Sequence, residues 1–342
     1  MNNDFLVCVR CITYNHSAYI EDTMNGFTMQ QTDFPFVCII IDDFSTDGEP
    51  EVIQRYLKQH FDLDDKSVVL NEETDDYVMS FAQHKDNKNC FFAIYYLKYN
   101  HYRKKDKRPY YASFEEHAKY IAICEGDDYW IDPMKLQKQK DVFDEYPDVG
   151  LVHTDYNLVS GKRKHFNCSE EPRNCLMNLL VSGRYDIGTL TVMYRKVFYD
   201  KIPKRWIGKG FLMGDSPLFI ELASVSDFVY LNRITACYRV LPESVSHSKN
   251  IDWQVKFRKS GMEINEFYCN VFNLPYKADW RMFYYNIMRE IYRNNNIEDA
   301  KKYYKEASEN NSLSFKTRLL YLGTIIPAFR YCLEKGRIFY GK

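Results

Sequence analysis

Short apolar runs alternate with polar loops and amphipathic segments along the first 240 residues or so. Residues 5–12 are apolar apart from one arginine, a pattern typical of a strand buried on both faces. Comparable runs predict further strands at 36–41, 68–70, 120–124, 149–154, 189–194 and 234–240. Ile20, Met24 and Phe27 recur at helical spacing, with Ser17 as the expected N-cap. The repeated order of strand, loop and helix predicts an α/β fold with a mostly parallel central sheet flanked by helices.

The pattern changes in the last third of the chain. Asp132 and Pro133 predict the start of one more helix in the α/β region. From about residue 251 onward, apolar positions recur mainly at helical spacing. We therefore expect one domain over residues 1–248 and a helical C-terminal extension over 249–342.

The composition of the chain argues against some classes of function. An apolar fraction of 45% and a charged fraction of 27% are ordinary for a folded globular protein. Lys and Arg total 46 against 47 Asp and Glu, so the net charge of −1 gives no reason to expect a nucleic-acid partner. Ten cysteines without paired CxxC motifs argue against a zinc site. Residues 1–4 lack the basic and apolar regions of a signal peptide, and we expect a cytoplasmic protein.

Charged residues are unevenly distributed along the chain, and aromatic residues are numerous. Residues 313–342 carry a net charge of +5, which leaves −6 on the rest, and residues 98–108 contain six basic side chains. This apolar and basic C-terminal tail either packs on the domain at 1–248 or lies on an anionic membrane surface as a peripheral contact. The 29 Tyr and 23 Phe either fill the core or line a site for rings or sugars.

Polar residues follow three of the predicted strands, at 13–17, 42–45 and 125–128. The carboxyl ends of parallel strands meet at one edge of a sheet, where ligands of α/β proteins bind. We therefore expect these loops to converge on one crevice.

The acidic pair Asp127–Asp128 is the strongest candidate for chemistry. Adjacent carboxylates at a strand end repel each other and favour a compensating cation. Oxygen ligands of this kind suit Mg²⁺ or Mn²⁺, with substrate phosphates completing the coordination. The alternative is a turn that leads into a capped helix.

Four other candidate residues each have a functional and a structural interpretation. Asp43, beside Asp42, can accept a hydrogen bond from a base or a ribose, or belong to a polar turn. Tyr14 can stack on a nucleobase or be a half-buried surface residue. Asp215, after Gly214, can be a general base or a helix N-cap. His247 can contact a phosphate or the metal, or be a surface histidine.

These motifs resemble those of family 2 of the glycosyltransferases, the inverting enzymes with the GT-A fold. The segments that carry the resemblance are VRCITYNH at 9–16, IIDDFSTDG at 40–48 and EGDDYWIDP at 125–133. The last is similar to the EGDDYW subgroup of bacterial surface-polysaccharide enzymes. Glu125 stands at the first acidic position of the family's usual DxDD pattern. GxGxxG, P-loop and GxSxG motifs, which mark other α/β enzymes, do not occur at the expected places.

The resemblance implies a function and a set of roles. The protein would transfer a sugar from a nucleotide-sugar, a UDP-hexose or UDP-N-acetylhexosamine, to a hydroxyl of a glycan or lipid-linked acceptor. The implied donor-binding residues are Thr13, Tyr14, Asn15, Asp42, Asp43, Asp127 and His247. Asp128, with Asp127, would hold the divalent metal, and Asp215 would be the catalytic base. A sugar-nucleotide nucleotidyltransferase and a catalytically inactive nucleotide-sugar-binding module are the competing hypotheses. The first should carry a Gly-rich basic loop after the first strand, and the second should lack the acidic pair or Asp215.

Overall fold

The computed structural model describes residues 4–64, 69–102, 104–165, 170–182, 187–241 and 250–335. They belong to two compact units. The first unit spans residues 1–204 and 218–240, and the second spans residues 205–217 and 241–342.

The first unit is built on one mixed β-sheet with helices on both faces. Its strands, as far as the chain is described, are β1 (Val7–Thr13), β2 (Phe36–Asp42), β3 (Phe61–Asp62), β4 (Leu70–Glu73), β5 (Tyr77–His84), β6 (Cys90–Leu97), β7 (Tyr120–Ile123), β8 (Tyr129–Trp130), β9 (Val149–Leu158), β10 (Arg163–Lys164), β11 (Met193–Arg195) and β12 (Asp227–Tyr238). Its helices are α1 (Ile20–Thr28), α2 (Glu49–His60), α3 (Arg108–Glu115), α4 (Lys135–Glu145) and α5 (Lys196–Lys201), and α6 (Asp215–Ala223) runs on from the second unit.

The strand order is β3-β5-β6-β2-β1-β7-β11-β9-β12-β8, with β4 beside β5 and β10 beside β9. Strands β6, β2, β1 and β7 pair in parallel, as do β9 and β12. Strands β5 and β11 are antiparallel to their neighbours, so the sheet is mixed. The predicted α/β class is confirmed, and the carboxyl ends of β1, β2 and β7 meet at one edge.

Strand β2 shows why these segments form the middle of the sheet. All seven of its residues are buried. Cys38 and Ile40 belong to an apolar cluster with α1, α2 and α4, whereas Ile39 and Ile41 belong to a second cluster with α3. Successive side chains of a strand point to opposite faces. A continuous apolar run is therefore what a strand covered by helices on both faces requires.

Both predicted helix starts were wrong. Helix α1 begins at Ile20 without a side-chain cap, and Ser17 lies in the preceding loop, where its N–H donates to Asp47 Oδ2 at 2.9 Å. Helix α4 begins at Lys135. Asp132 lies in the turn before it, where Oδ1 accepts from the Met134 N–H at 3.0 Å and Oδ2 pairs with Arg233.

The strand predictions were incomplete. Strand β6, which pairs with β2, was not predicted although its sequence is a continuous apolar run, and β5, which pairs with β6, was not predicted either. The predicted strand 189–194 is a 3₁₀ turn, Thr189–Thr191, followed by β11. The predicted strand 68–70 meets the described residues only from 69 on, and there β4 begins at Leu70.

The second unit is helical, as predicted for the C-terminal region. It contains α7 (Ile251–Val271), α8 (Trp280–Asn294), α9 (Ile297–Glu309), α10 (Phe315–Ile325) and α11 (Pro327–Lys335). The first four begin with a side-chain cap from Asn250, Asp279, Asn296 and Ser314. Leu320 of the basic tail packs in this unit's own core. Within the described ranges, none of the helices has the length and apolar character that crossing a bilayer requires.

Candidate functional site

The loops after β1 and β2 are held together by a buried carboxylate, that of Glu49. Glu49 is the first residue of α2 and is fully buried. Its oxygens accept hydrogen bonds from the hydroxyl of Thr13, from the His16 N–H at 2.8 Å and from Ser45 Oγ at 2.8 Å. Because all three donors depend on one carboxylate, the two loops form one structural element. The sequence analysis did not single out Glu49.

Tyr14 is presented to solvent from this element. Its neighbour Asn15 takes the left-handed conformation, with φ = 57°, and spans the two loops. The Asn15 N–H donates to Ser45 Oγ at 2.8 Å, and its side-chain oxygen accepts from the Thr46 N–H at 2.8 Å. Tyr14 remains 45% exposed, so its ring is available to a ligand while the backbone beneath it is fixed.

Asp42 and Asp43 are both buried at the end of β2. Burial, with the nearby Glu49 carboxylate adding to it, raises the pKa of Asp42 to about 6, against hydrogen bonds from Ser45. Asp43 Oδ1 accepts from the His101 N–H at 2.7 Å, and Oδ2 pairs with Lys107 Nζ at 2.9 Å. The basic segment 98–108 is thus attached to Asp43, a contact that its sequence did not indicate.

The acidic loop after β7 lies directly against the first loop. A Cβ atom on Gly126 would lie 2.1 Å from Thr13 Oγ1, so only glycine permits this approach. The hydroxyl of Thr23, on α1, donates to the carbonyls of Gly126 and Asp128 at 3.0 and 2.6 Å. The structure therefore brings the loops after β1, β2 and β7 together, as their positions in the sequence predicted.

Asp128 is a buried carboxyl group whose ionisation is opposed by its surroundings. It is 3% exposed, and its neighbours Asp127 and Glu125 are half-buried. Burial, reinforced by the negative charge of Asp127, raises the pKa of Asp128 to about 9. A buried carboxylate beside like charges is costly unless a cation compensates it.

Arg239 connects this acidic loop to the end of β12. Its N–H donates to Asp128 Oδ1 at 2.8 Å, and its guanidinium donates to the Asp127 carbonyl at 2.8 Å and pairs with Asp22. The guanidinium carbon lies 4.4 Å from the ring centroid of Tyr129. Arg239 therefore positions both acidic residues. Arg239 lies within the predicted strand 234–240, whose apolar pattern did not indicate this role.

Asp127 and Asp128 supply some of the ligands that a divalent cation would need. Across the described ranges, no group of three or more His, Cys, Asp or Glu side chains is arranged to hold a metal. Mg²⁺ is commonly bound through one or two carboxylates plus substrate phosphates. Asp127 and Asp128 supply such a pair, and a cation would stabilise the ionised form of Asp128, which burial disfavours.

The aromatic residues next to the acidic pair have structural roles. Trp130 is 1% exposed, and its Nε1–H donates to the Leu190 carbonyl at 2.8 Å. Its ring packs edge-on against Phe27 with centroids 4.9 Å apart. Trp130 is therefore a core residue and not a platform for a ligand.

The other two predicted residues belong to the second unit. Asp215 is half-buried at the first position of α6, where Oδ1 accepts from the Ser216 N–H at 2.7 Å. Its role stays a prediction. His247 lies outside the described residues.

Sequence comparison finds a family match for part of the chain. The family described as Glycosyl transferase family 2 matches residues 8–78. Two relatives are the uncharacterized proteins Rv1520 of Mycobacterium tuberculosis and Mb1547 of Mycobacterium bovis. Each is 27% identical over 245 residues, which cover 70% of this chain. The chain spans only 60% of the length of these relatives.

Solved structures with a similar chain course include two nucleotide-sugar complexes. One is S. aureus TarS 1–349 in complex with UDP-GlcNAc, at 14% identity and a TM-score of 0.46, covering 98% of this chain and 93% of that chain. The other is the mannosyltransferase PcManGT from Pyrobaculum calidifontis in complex with GDP-Man and Mn²⁺. It is 14% identical, with a TM-score of 0.47, and covers 81% of this chain and 67% of that chain. The match to Glycosyl transferase family 2, over residues 8–78, includes the loops after β1 and β2.

Proposed function

We propose that this protein is an inverting glycosyltransferase of bacterial surface-polysaccharide synthesis, similar to the EGDDYW subgroup. It transfers a sugar from a UDP-hexose or UDP-N-acetylhexosamine to a hydroxyl of a glycan or lipid-linked acceptor. One observation carries the proposal. The exposed ring of Tyr14 and the buried carboxylates of Asp43 and Asp128 lie on loops that meet at one edge of the sheet. Such an edge is where α/β proteins bind nucleotides.

The loops after β1 and β2 would bind the nucleoside. In this proposal Tyr14 stacks on the uracil, because its ring is exposed on a fixed backbone. Asp43, with Asp42 beside it, faces the polar edge of the base. Thr13 and Asn15 frame the pocket through the contacts to Glu49, Ser45 and Thr46 described above, and not through free polar groups.

The acidic pair would hold Mn²⁺ or Mg²⁺ together with the donor diphosphate. When bound, the cation offsets the negative charge that develops on the departing nucleoside diphosphate. Asp128 and Asp127 are the protein ligands in this proposal, and Arg239 holds both in place. His247 would contact the diphosphate.

Asp215 would act as the general base. Its carboxylate takes the proton from the acceptor hydroxyl as the oxygen attacks the anomeric carbon from the face opposite the leaving group. One displacement forms the new C–O bond, breaks the old one and inverts the configuration. No covalent enzyme intermediate is required.

Nucleotide binding tests the central claim. We expect UDP or a UDP-sugar, with Mn²⁺, to raise the melting temperature, because ligands that bind only the folded state stabilise it. The measurement is a thermal-shift panel of UDP-sugars with one GDP-sugar and one TDP-sugar as comparisons. The variant Tyr14→Ala should weaken the shift, whereas Tyr331→Ala, at an exposed tyrosine of α11, should not. A panel in which no nucleotide stabilises the wild type would contradict the proposed function.

We also propose a cytoplasmic location with peripheral membrane contact through the C-terminal tail. In the second unit, Phe315 is 74% exposed beside Lys316 and Arg318 at the start of α10, and Ile326 is 43% exposed just after it. Apolar and basic side chains together favour anionic lipid surfaces. Full-length protein should cosediment with anionic vesicles at low salt and be released at high salt. Replacing Phe315 by Ser should lower the bound fraction. An equal bound fraction on neutral vesicles would rule out this contact.

A further inference from the structure

A second cleft lies in the first unit on the α3 face of the sheet, between α3 and the strands β4, β5 and β6. Its volume is about 500 Å³, within the range of small-molecule sites. None of the residues assigned above to the donor or the metal lines it. Six aromatic side chains do, namely Phe5, Tyr77, Phe81, Tyr95, Tyr110 and Phe114.

The aromatic wall is rigid. Tyr77 packs edge-to-face against Tyr95, with centroids 5.1 Å apart, and against Tyr110, at 5.4 Å. Phe81 and Phe114 stack at 5.6 Å. Tyr95, Tyr110 and Phe81 are buried, whereas Tyr77 and Phe114 are half-buried. The cleft therefore presents two partly accessible rings that are fixed by buried ones.

The remaining lining combines apolar and polar residues. Among them are three carboxylates, those of Glu72, Asp76 and Asp106, and one lysine, Lys105. Glu72 Oε1 accepts from the Tyr77 hydroxyl at 2.8 Å, Asp76 pairs with Lys105, and Asp106 pairs with Arg108. A phosphate would have to compete with these carboxylates for Lys105 and Arg108, so a nucleoside diphosphate or a lipid phosphate is disfavoured in this cleft. A hydrocarbon chain would desolvate the carboxylates without replacing their hydrogen bonds.

We propose that this cleft is a saccharide-binding subsite. A sugar ring has an apolar C–H face and an edge of hydroxyl donors. The C–H face can pack on the accessible rings of Tyr77 and Phe114, while the hydroxyls donate to carboxylates such as Glu72. The ligand class is a neutral or cationic oligosaccharide. The proposal rests on the proposed function in one respect, the source of this ligand. That source would be a segment of the acceptor glycan distant from the reacting hydroxyl.

Saccharide binding can be measured without any transfer reaction. The full-length protein is applied to an array of neutral and amino-sugar-containing oligosaccharides, and the affinity for the best-retained one is then measured by calorimetry. Two variants address the cleft in different ways. Tyr77→Ala removes an accessible ring, and Ser113→Trp fills the cleft from an exposed position of α3 that lines it. Tyr331→Ala is the matched control.

We expect wild type and Tyr331→Ala to bind alike. Both cleft variants should bind at least about tenfold more weakly, which corresponds to roughly 1.4 kcal/mol. Their melting-temperature rise with UDP and Mn²⁺ should equal that of the wild type, which reports an intact fold and donor site. The proposal is overturned if the wild type retains no oligosaccharide, or if Ser113→Trp binds as tightly as the wild type. A protein that binds an oligosaccharide in the cleft but no nucleotide would leave this subsite standing and remove the proposed function.

Discussion

Replacing Asp215 by Asn is expected to lower kcat about a thousand-fold, the middle of the range for loss of a general base. Asn is isosteric with Asp but cannot accept the proton of the acceptor hydroxyl. Donor binding should be unchanged, because the proposed donor residues lie on other loops. The measurements are the rate of UDP release with acceptor and the affinity for UDP in the presence of Mn²⁺.

The same substitution separates the two interpretations of Asp215. The residue begins α6 and accepts a hydrogen bond from the Ser216 N–H. The side-chain oxygen of Asn can accept the same Ser216 N–H, so a purely structural Asp215 would tolerate the change. Asp279→Asn is the matched control, because Asp279 caps α8 through the Met282 N–H and has no proposed chemical role. Turnover of Asp215→Asn equal to that of Asp279→Asn would remove Asp215 from the mechanism.

Continuous apolar runs made the centre of the fold predictable. Strands β1, β2 and β7 are buried on both faces, so their sequences are apolar without alternation. The polar residues that follow them mark the strand ends, and their convergence follows from parallel pairing alone. The sequence therefore predicts that the loop at 125–128 lies beside the loop at 13–17.

The residues that organise the site were not predictable in the same way. Glu49 and Arg239 are charged yet buried, at 0% and 9% exposure. Local periodicity assigns such residues to the surface. Their burial depends on partners distant in sequence, such as Thr13 for Glu49 and Asp128 for Arg239, 36 and 111 positions away. Asp132 failed as a helix cap for the same reason, since the tertiary partner Arg233 pairs with its carboxylate.

Replacing Asp128 by Asn is expected to abolish transfer and to stabilise the metal-free protein. The carboxylate is almost completely buried, and its pKa is raised from the ordinary value to about 9 by burial and by Asp127. The folded state therefore holds this proton more tightly than the unfolded chain, whose Asp pKa is about 3.9. Ionisation of Asp128 opposes folding, and stability falls as the pH rises from about 4 towards 9. An Asn side chain has no such cost and still accepts the Arg239 N–H.

A bound cation is expected to reverse the order of stability of the wild type and Asp128→Asn. In the proposed site Mn²⁺ with UDP would bind the ionised form of Asp128, so it should raise the melting temperature of the wild type more than that of Asp128→Asn. Without metal, the melting temperature of the wild type should fall between pH 6 and pH 8 more steeply than that of the variant. Asp132→Asn is the control, because Asp132 is also buried but is paired with Arg233. If Asp128→Asn gained as much stability from Mn²⁺ and UDP as the wild type does, Asp128 would not be a metal ligand. A lower melting temperature of the metal-free variant would instead show that the Asp128 carboxylate of the wild type is compensated by groups within the protein. The site would then have no electrostatic need for a cation.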